Sequence, residues 1–248
     1  MAITISEERG VRYLHFASPW IQGAMRIARP YRLELEYTRD LMLPLLLRPS
    51  PEWPRSVLQI GLGPASVTKF LYRFRPNARI TVVEILPQVV AAAFQYFRLP
   101  DDSDRIRIEI NDAHEFVGRS RARFDLIVLD GYDDKGRAGL LDTAPFYMNC
   151  RERLTTRGMI AVNLLTRQRG VGASIERLQL AFDGRVLEIP KCEAGNAVAI
   201  AAVGEEIRES FDDLRASARA LKTDSGLDLL PTLGRIASAS AAQDAVVL

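Results

Sequence analysis

Ser56-Val57-Leu58-Gln59-Ile60-Gly61-Leu62-Gly63-Pro64-Ala65-Ser66 is the stretch on which the fold turns. Val57, Leu58 and Ile60 form a short apolar run that stops at Gly61, which reads as a buried strand entering a tight turn. Val67, Phe70, Leu71 and Phe74 then fall at helical spacing, with Lys69, Arg73 and Arg75 between them. Strand, glycine turn and helix is the opening unit of a doubly wound α/β fold. Gly61 and Gly63 let the backbone pass close to a ligand and leave amides exposed at a helix N-terminus. A purely structural turn uses the same glycines, so this pair alone leaves ligand binding open.

Downstream the alternation continues. Ile80 to Glu84, Arg105 to Ile110, Phe124 to Asp130 and Met159 to Leu164 read as strands. The run Phe124-Asp125-Leu126-Ile127-Val128-Leu129-Asp130 is almost wholly apolar, as a central strand of a parallel sheet is. Pro87 to Phe97, Ala113 to Val117, Phe146 to Leu154 and Ser174 to Phe182 read as helices, with Gly158 as a stop before the Met159 strand. Arg185 to Ile189 and Ala197 to Val203 close the sheet. Glu205 to Leu221 reads as a charged amphipathic helix, and the last twenty residues, rich in Ala and Ser, as loosely packed.

Upstream, residues 1 to 29 read as short strands, Val11 to Phe16 alternating and Ala17-Ser18-Pro19 breaking the pattern before Trp20 to Arg26. Leu33 to Leu47 has near-helical spacing, and Pro49, Pro51 and Pro54 end it. The expected organisation is therefore a small N-terminal β region plus helix over 1–50, a Rossmann-like core over 51–204, and a C-terminal helix with a tail over 205–248.

Composition narrows the partners. Thirty-three basic residues against 31 acidic give +2, which argues against a dedicated nucleic-acid surface. Cys150 and Cys192 lie far apart without metal-ligand spacing, and His15 and His114 complete no metal cluster. No apolar run reaches membrane-spanning length and no signal-peptide pattern opens the chain, so a cytoplasmic protein with reduced thiols is expected.

Glu84, Asp112, Asp130 and Asp133 all stand just beyond the C-terminal ends of the expected parallel strands, the edge where open α/β sheets bind ligands. Glu84 follows Gly63 by 21 positions, near the offset at which an acid meets a ribose 2′-hydroxyl. Asp112 is placed either to read a ligand or simply to cap the helix after it. Asp130 and Asp133 together can form an acidic pocket for a cation, or lift one carboxyl enough for proton transfer; an acidic surface loop is the plain alternative.

With these pieces in order, the chain resembles the polyamine aminopropyltransferases, the spermidine synthase family, whose core is the class I S-adenosylmethionine-dependent methyltransferase type of Rossmann-like sheet. The resemblance covers roughly Gln22 to Leu164. It rests on Val57 to Gly63, Val82-Val83-Glu84-Ile85, Asn111-Asp112-Ala113-His114-Glu115-Phe116, Phe124 to Asp133, Phe146-Tyr147 and the turn from Leu154 to Gly158. It implies that the glycine turn of Gly61 and Gly63 and the ribose-holding Glu84 bind a sulfonium nucleoside whose adenine is read by Asp112 with Ala113. It further implies that Asp130 is the base, that Asp133 binds the cationic amine, and that Gln22 and Tyr37 line the nucleoside and amine pockets. The co-substrate would be decarboxylated S-adenosylmethionine, with no metal, and the partner a small amine such as putrescine. The N-terminal β region would form a homodimer.

Several positions depart from the family pattern. Pro64 stands where the family carries an Asp that meets the donor's amino group, with Ala65 and Ser66 in place of the remaining glycines. Thr38 replaces a His, and Asp130-Gly131-Tyr132-Asp133-Asp134 keeps both acids of the family's Asp-Ser-Ser-Asp-Pro but not the proline. Beyond Leu164 the family's aromatic segment is reduced to Ile189-Pro190 and Asn196 to Ala199. Three other readings follow: an S-adenosylmethionine-dependent methyltransferase, favoured by Pro64; a non-catalytic nucleoside-binding homologue, consistent with the altered amine pocket; and a nicotinamide dehydrogenase, which leaves Asp112 and the Asp130 loop unexplained.

Overall fold

The computed structural model describes residues 3–16, 21–166, 171–193, 195–239 and 244–248. The break expected at Ala17-Ser18-Pro19, and Trp20 after it, lie outside these residues. At the N-terminus β1 (Ile3–Glu8), β2 (Val11–Phe16) and β3 (Ile21–Arg26) form an antiparallel sheet in that order, so the expected β region is present.

The core is a sheet of seven strands. β4 (Ser56–Ile60), β5 (Arg79–Glu84), β6 (Ile106–Ile110), β7 (Phe124–Leu129), β8 (Leu154–Leu165), β9 (Val186–Ile189) and β10 (Asn196–Ala202) lie in the order β6-β5-β4-β7-β8-β10-β9. The pairings from β6 through β8 are parallel, whereas β10 runs antiparallel to both of its neighbours. This is the doubly wound sheet expected, and β4 and β7 lie at its switch point, where the connections leave in opposite directions and open a crevice at the strand ends.

Successive residues of the central strands serve opposite faces, which is why these strands are apolar throughout. Val57, Val82, Leu126, Val128 and Met159 join one buried cluster; Leu58, Val83, Ile127, Leu129 and Ile160 join the other. The first face is covered by α3 (Ser66–Phe74) and α4 (Pro87–Phe97) through Phe70, Leu71, Val89 and Phe97. The second is covered by α5 (Ala113–Arg119), α6 (Ala144–Glu152) and α7 (Gly172–Ala181) through Val117, Phe146, Tyr147 and Leu178.

Four expectations need correction. The single helix over Leu33 to Leu47 is two short ones, α1 (Glu36–Asp40) and α2 (Pro44–Leu47), because Pro44 has no N–H to continue a helix and fits the first turn of a new one. The helix before Gly158 ends at Glu152, and β8 already starts at Leu154 and runs through that glycine. The charged helix begins later than Glu205: β11 (Arg208–Ser210) precedes α8 (Phe211–Ser225), whose N-cap Ser210 accepts the Asp213 N–H at 3.1 Å. The tail is packed rather than loose. It holds α9 (Leu230–Ala239) and β12 (Ala245–Val247), and Leu233, Ile236, Val246 and Leu248 are buried in the first cluster. Four apolar anchors at the right spacing outweigh the Ala and Ser around them.

Candidate active site

A cavity of ≈ 340 Å³ opens at the switch point, lined from the N-terminal sheet, α1, the glycine turn and the C-terminal ends of β5, β6 and β7. Gln22, Tyr37, Gly61, Gly63, Glu84, Asp112, Ala113, Asp130 and Asp133 all line it. Residues separated by more than a hundred positions thus meet because parallel strands deliver the loops that follow them to one edge, over which the N-terminal sheet and α1 are laid.

The glycine turn has two reasons for its composition. Gly61 has φ +85°, and a Cβ there would lie 2.1 Å from the Asp130 carbonyl oxygen. The Asp130 N–H donates to the Ile60 carbonyl at 2.9 Å, so the two strand ends are stitched together and only glycine fits between them. Behind the turn, buried Gln59 accepts from Thr68 Oγ1 at 2.6 Å and donates to the Gly61 carbonyl at 2.8 Å. Gln59 lies within the quoted Val57 to Gly63 motif without a role of its own, and Thr68 lies outside every motif. Pro64 packs on the N-terminal sheet, where a Cβ on Gly23 would lie 2.2 Å from the Pro64 ring.

Glu84 is buried at the end of β5. Its Oε2 accepts the Leu62 N–H at 2.9 Å and its Oε1 the Leu86 N–H at 2.9 Å. Burial pushes its carboxyl above the usual range, and these backbone donors pull the other way. Each oxygen keeps acceptor capacity toward the cavity. Asp112 does cap α5: its Oδ1 accepts the His114 N–H at 2.7 Å and the Glu115 N–H at 3.3 Å. Neither bond uses Oδ2, so capping and a ligand contact are compatible at one carboxylate.

Asp130 sits where the apolar β7 ends. Its Oδ2 accepts from Tyr37 Oη at 3.1 Å and its Oδ1 from Asn163 Nδ2 at 2.7 Å. Burial lifts this carboxyl above its ordinary value, and the bonds from Asn163 and Tyr37 oppose the shift. Tyr37, buried against Asp130, is held in its neutral form: burial and then the Asp130 charge push its hydroxyl well above the usual range. Asn163, on β8, was not singled out from the sequence; like Gln59 it is a polar residue in an apolar run.

Asp133 lines the same cavity but is not free. Its Oδ1 accepts the backbone N–H groups of Lys135 at 2.9 Å and Arg137 at 2.8 Å, and its Oδ2 accepts from Arg137 Nε at 2.8 Å. Burial works against the charge, yet the Arg137 and Lys135 donors hold the carboxyl below its ordinary value. Arg137, also unmarked by the sequence reading, brings a cation to the cavity wall. Thr38 lines the cavity too, with its hydroxyl turned to the Leu35 carbonyl at 2.6 Å. Tyr147 does not reach the cavity; it is fully buried and donates to Asp142 at 2.8 Å. Among the described residues, no three His, Cys, Asp or Glu side chains come together as metal ligands, and no helix is long and apolar enough to cross a membrane.

This arrangement offers carboxylate acceptors at Glu84 and Asp112 at one end and, at Asp130, a carboxylate able to take up a proton at the other. Comparison with known proteins gives a consistent result. The family model for the spermine/spermidine synthase domain matches residues 34–164. A polyamine aminopropyltransferase of Neisseria meningitidis is 34% identical over 226 residues, 91% of this chain and 85% of that protein. One from Chromobacterium violaceum is 33% identical over 234 residues, 94% of this chain and 88% of its own length. Among solved structures, a probable spermidine synthase from Corynebacterium glutamicum superimposes with a TM-score of 0.73 at 17% identity, covering 94% of this chain and 91% of that one. Human Methyltransferase-like protein 13 in complex with SAH gives 0.69 at 22% identity, covering 77% and 93%. At these identities the two structures speak for the fold.

Proposed function

The chain belongs to the spermine/spermidine synthase family, and on that premise we propose that it transfers an aminopropyl group from decarboxylated S-adenosylmethionine to a small amine such as putrescine. The observation that carries the reading is the Asp130 carboxylate, half-buried at the cavity wall and held between Tyr37 and Asn163.

The nucleoside would enter along Gln22, Gly61 and Gly63. Glu84 would accept the ribose hydroxyls with the lone pairs its two backbone donors leave unused. Asp112 Oδ2 would accept from the adenine amino group. The N–H of Ala113, first in α5, has no acceptor within the helix and would face a ring nitrogen. At the other end Asp130 takes a proton from the bound ammonium. The neutral nitrogen then attacks the propyl carbon beside the sulfonium, the new C–N bond forms as the C–S bond breaks, and methylthioadenosine leaves. Positioning and deprotonation are the protein's share. Asp133 would bind the cationic amine, exchanging Arg137 for it.

We further place the protein in the cytoplasm as a homodimer joined through the N-terminal sheet. We take it to work on a small amine without a metal, nucleic acid or membrane, and to divide at residues 50 and 204. A second reading, an S-adenosylmethionine-dependent methyltransferase, is supported by Pro64, which offers no carboxylate for the donor's amino group.

Calorimetry with methylthioadenosine, decarboxylated S-adenosylmethionine and S-adenosylmethionine side by side tests both. Tighter binding of the decarboxylated donor than of S-adenosylmethionine is expected. Equal or tighter binding of S-adenosylmethionine would transfer the case to methyl transfer, and binding of none would remove the nucleoside site.

A further inference from the structure

We propose that Asn196 is a positioning residue for the proton transfer, acting on Asp130 through the side-chain amide of Asn163. The inference rests on Asp130 being the base, and extends that reading to a strand outside the cavity wall.

Asn163 and Asn196 lie on the adjacent antiparallel strands β8 and β10. Asn163 faces Val198 and Asn196 faces Leu165, so the two asparagines are diagonal neighbours on one side of the sheet. Both are buried. Asn196 Nδ2 donates to Asn163 Oδ1 at 2.9 Å, and Asn163 Nδ2 donates to Asp130 Oδ1 at 2.7 Å. A primary amide has a donor end and an acceptor end that differ little in shape, so its partners decide which way it points. Here both partners agree. Turning the Asn163 amide over would set its NH₂ against the Asn196 NH₂ and its oxygen against the Asp130 carboxylate, two repulsive contacts in a buried setting. The Asn163 carbonyl is bound as well, by the Tyr132 hydroxyl, which fixes the backbone that carries the amide. Neither asparagine ionises, so their chain carries orientation and no charge.

Asp130 depends on that orientation. Its charged form is opposed by burial and supported by the donors from Asn163 and Tyr37. The titratable groups that face this set are Tyr37 on α1 and Tyr132 after β7, both kept neutral by burial, with Cys192 toward Tyr37 and Asp142 toward Tyr132. Asp133, on the same wall, is already paired with Arg137. The amide of Asn163 is thus one of two hydrogen bonds that hold the base ionised and aimed.

The test is Asn196→Asp, which keeps the shape and reverses the polarity, beside Asn196→Leu, which keeps the branched outline and removes the donor. A carboxylate at 196 would draw the Asn163 NH₂ to itself and away from Asp130. The expected result is a kcat lower by about tenfold or more, the size of a lost hydrogen bond to a charged group. The acid limb of the kcat profile should also move up by about one pH unit. KM and calorimetric binding of methylthioadenosine should stay within about twofold of wild type, since neither asparagine is placed on the nucleoside. An unchanged kcat and pH profile in Asn196→Leu, which adds no charge beside Asp130, would overturn the proposal. Should the variants lose nucleoside binding through misfolding, the wild-type protein decides by NMR: the Asn163 and Asn196 side-chain amides should both titrate with Asp130 and stop doing so in Asp130→Asn. A flat Asn196 signal overturns the link. Retained turnover in Asp130→Asn overturns the base assignment, leaving the Asn196 signal to report on the link by itself.

Discussion

Arg137 grips Asp133 on both carboxylate oxygens: Nε and Nη2 each lie 2.8 Å from Oδ2, and the Arg137 backbone N–H lies 2.8 Å from Oδ1. The second acid of the cavity wall therefore already carries a cation from its own loop. If Asp133 binds the amine as proposed, a substrate ammonium has to displace the guanidinium or share the carboxylate with it. Arg137→Ala should lower KM for putrescine by about two- to fivefold, the scale of an ion pair exposed to solvent. Steady-state kinetics would check it; an unchanged KM would show that Asp133 does not contact the amine.

Asp130→Asn keeps the shape of the side chain and removes its ability to take a proton. Turnover should fall by about 10²- to 10⁴-fold, the usual contribution of a positioned general base. Methylthioadenosine should still bind, because the proposed nucleoside contacts lie on Glu84, Asp112 and the glycine turn. Near-wild-type turnover would remove Asp130 as the base.

The same residue sets a pH dependence. Burial raises the Asp130 carboxyl above its ordinary value, so it becomes protonated at a higher pH than a solvated aspartate, near 3.9. With Asp130 ionised as the proposed base, activity should fall as pH drops through that raised value. The acid limb of kcat should lie above the ordinary carboxylate range in wild type and vanish with the residual activity of Asp130→Asn. A limb at the ordinary value would contradict a desolvated base.

Lys69 governs a stability window rather than catalysis. It is fully buried in α3, donating to the Phe97 carbonyl at 2.6 Å and contacting Met25 Sδ at 3.1 Å. Burial, with Arg98 nearby, lowers its ammonium to about 7 from 10.5. Between those values the unfolded chain holds the extra proton, so stability should rise with pH across the window, at up to about 1.4 kcal/mol per pH unit. Below pH 7 both states are protonated and the full penalty is present. Lys69→Met should flatten this slope and raise Tm most below neutrality, measurable by thermal melts from pH 6 to 10. Parallel melting curves for the two proteins would refute it.

Arg235 ties the C-terminal segment to the site. It pairs with Asp40, which is 1% exposed, and with Glu36; Thr232 Oγ1 also donates to Asp40 at 2.6 Å. Arg235→Met leaves a buried carboxylate without its cation and should cost about 3–5 kcal/mol in urea unfolding. Because Glu36 and Asp40 bracket Tyr37 on α1, kcat should fall as well. A loss under 1 kcal/mol would mean that the pair contributes little, as exposed ones do.

Much of this architecture was written locally. The alternation from Ser56 to Leu129, the glycine turn and the strand-end acids are short-range patterns, and they put Glu84, Asp112 and Asp130 at one sheet edge, where the cavity opens. Where the reading failed, a non-local term decided. Ala and Ser content predicts a loose tail, yet Leu233, Ile236, Val246 and Leu248 find the core and order it. Asn163 and Gln59 are polar residues in apolar strands whose partners Asp130, Asn196 and Thr68 come from other elements, so local pattern assigns them no role.

The sequence by itself determined the doubly wound sheet, the edge at which ligands would gather and the acids standing there, because hydrophobic period and glycine turns act over a few residues. Only the tertiary structure decided which of those acids is committed. It bound Asp133 to Arg137, held Asp130 between Tyr37 and Asn163, and left Asp112 one oxygen beyond its helix cap. A carboxylate's availability depends on every donor that folding brings within about 3 Å, and those donors arrive from strands and helices far away in the chain.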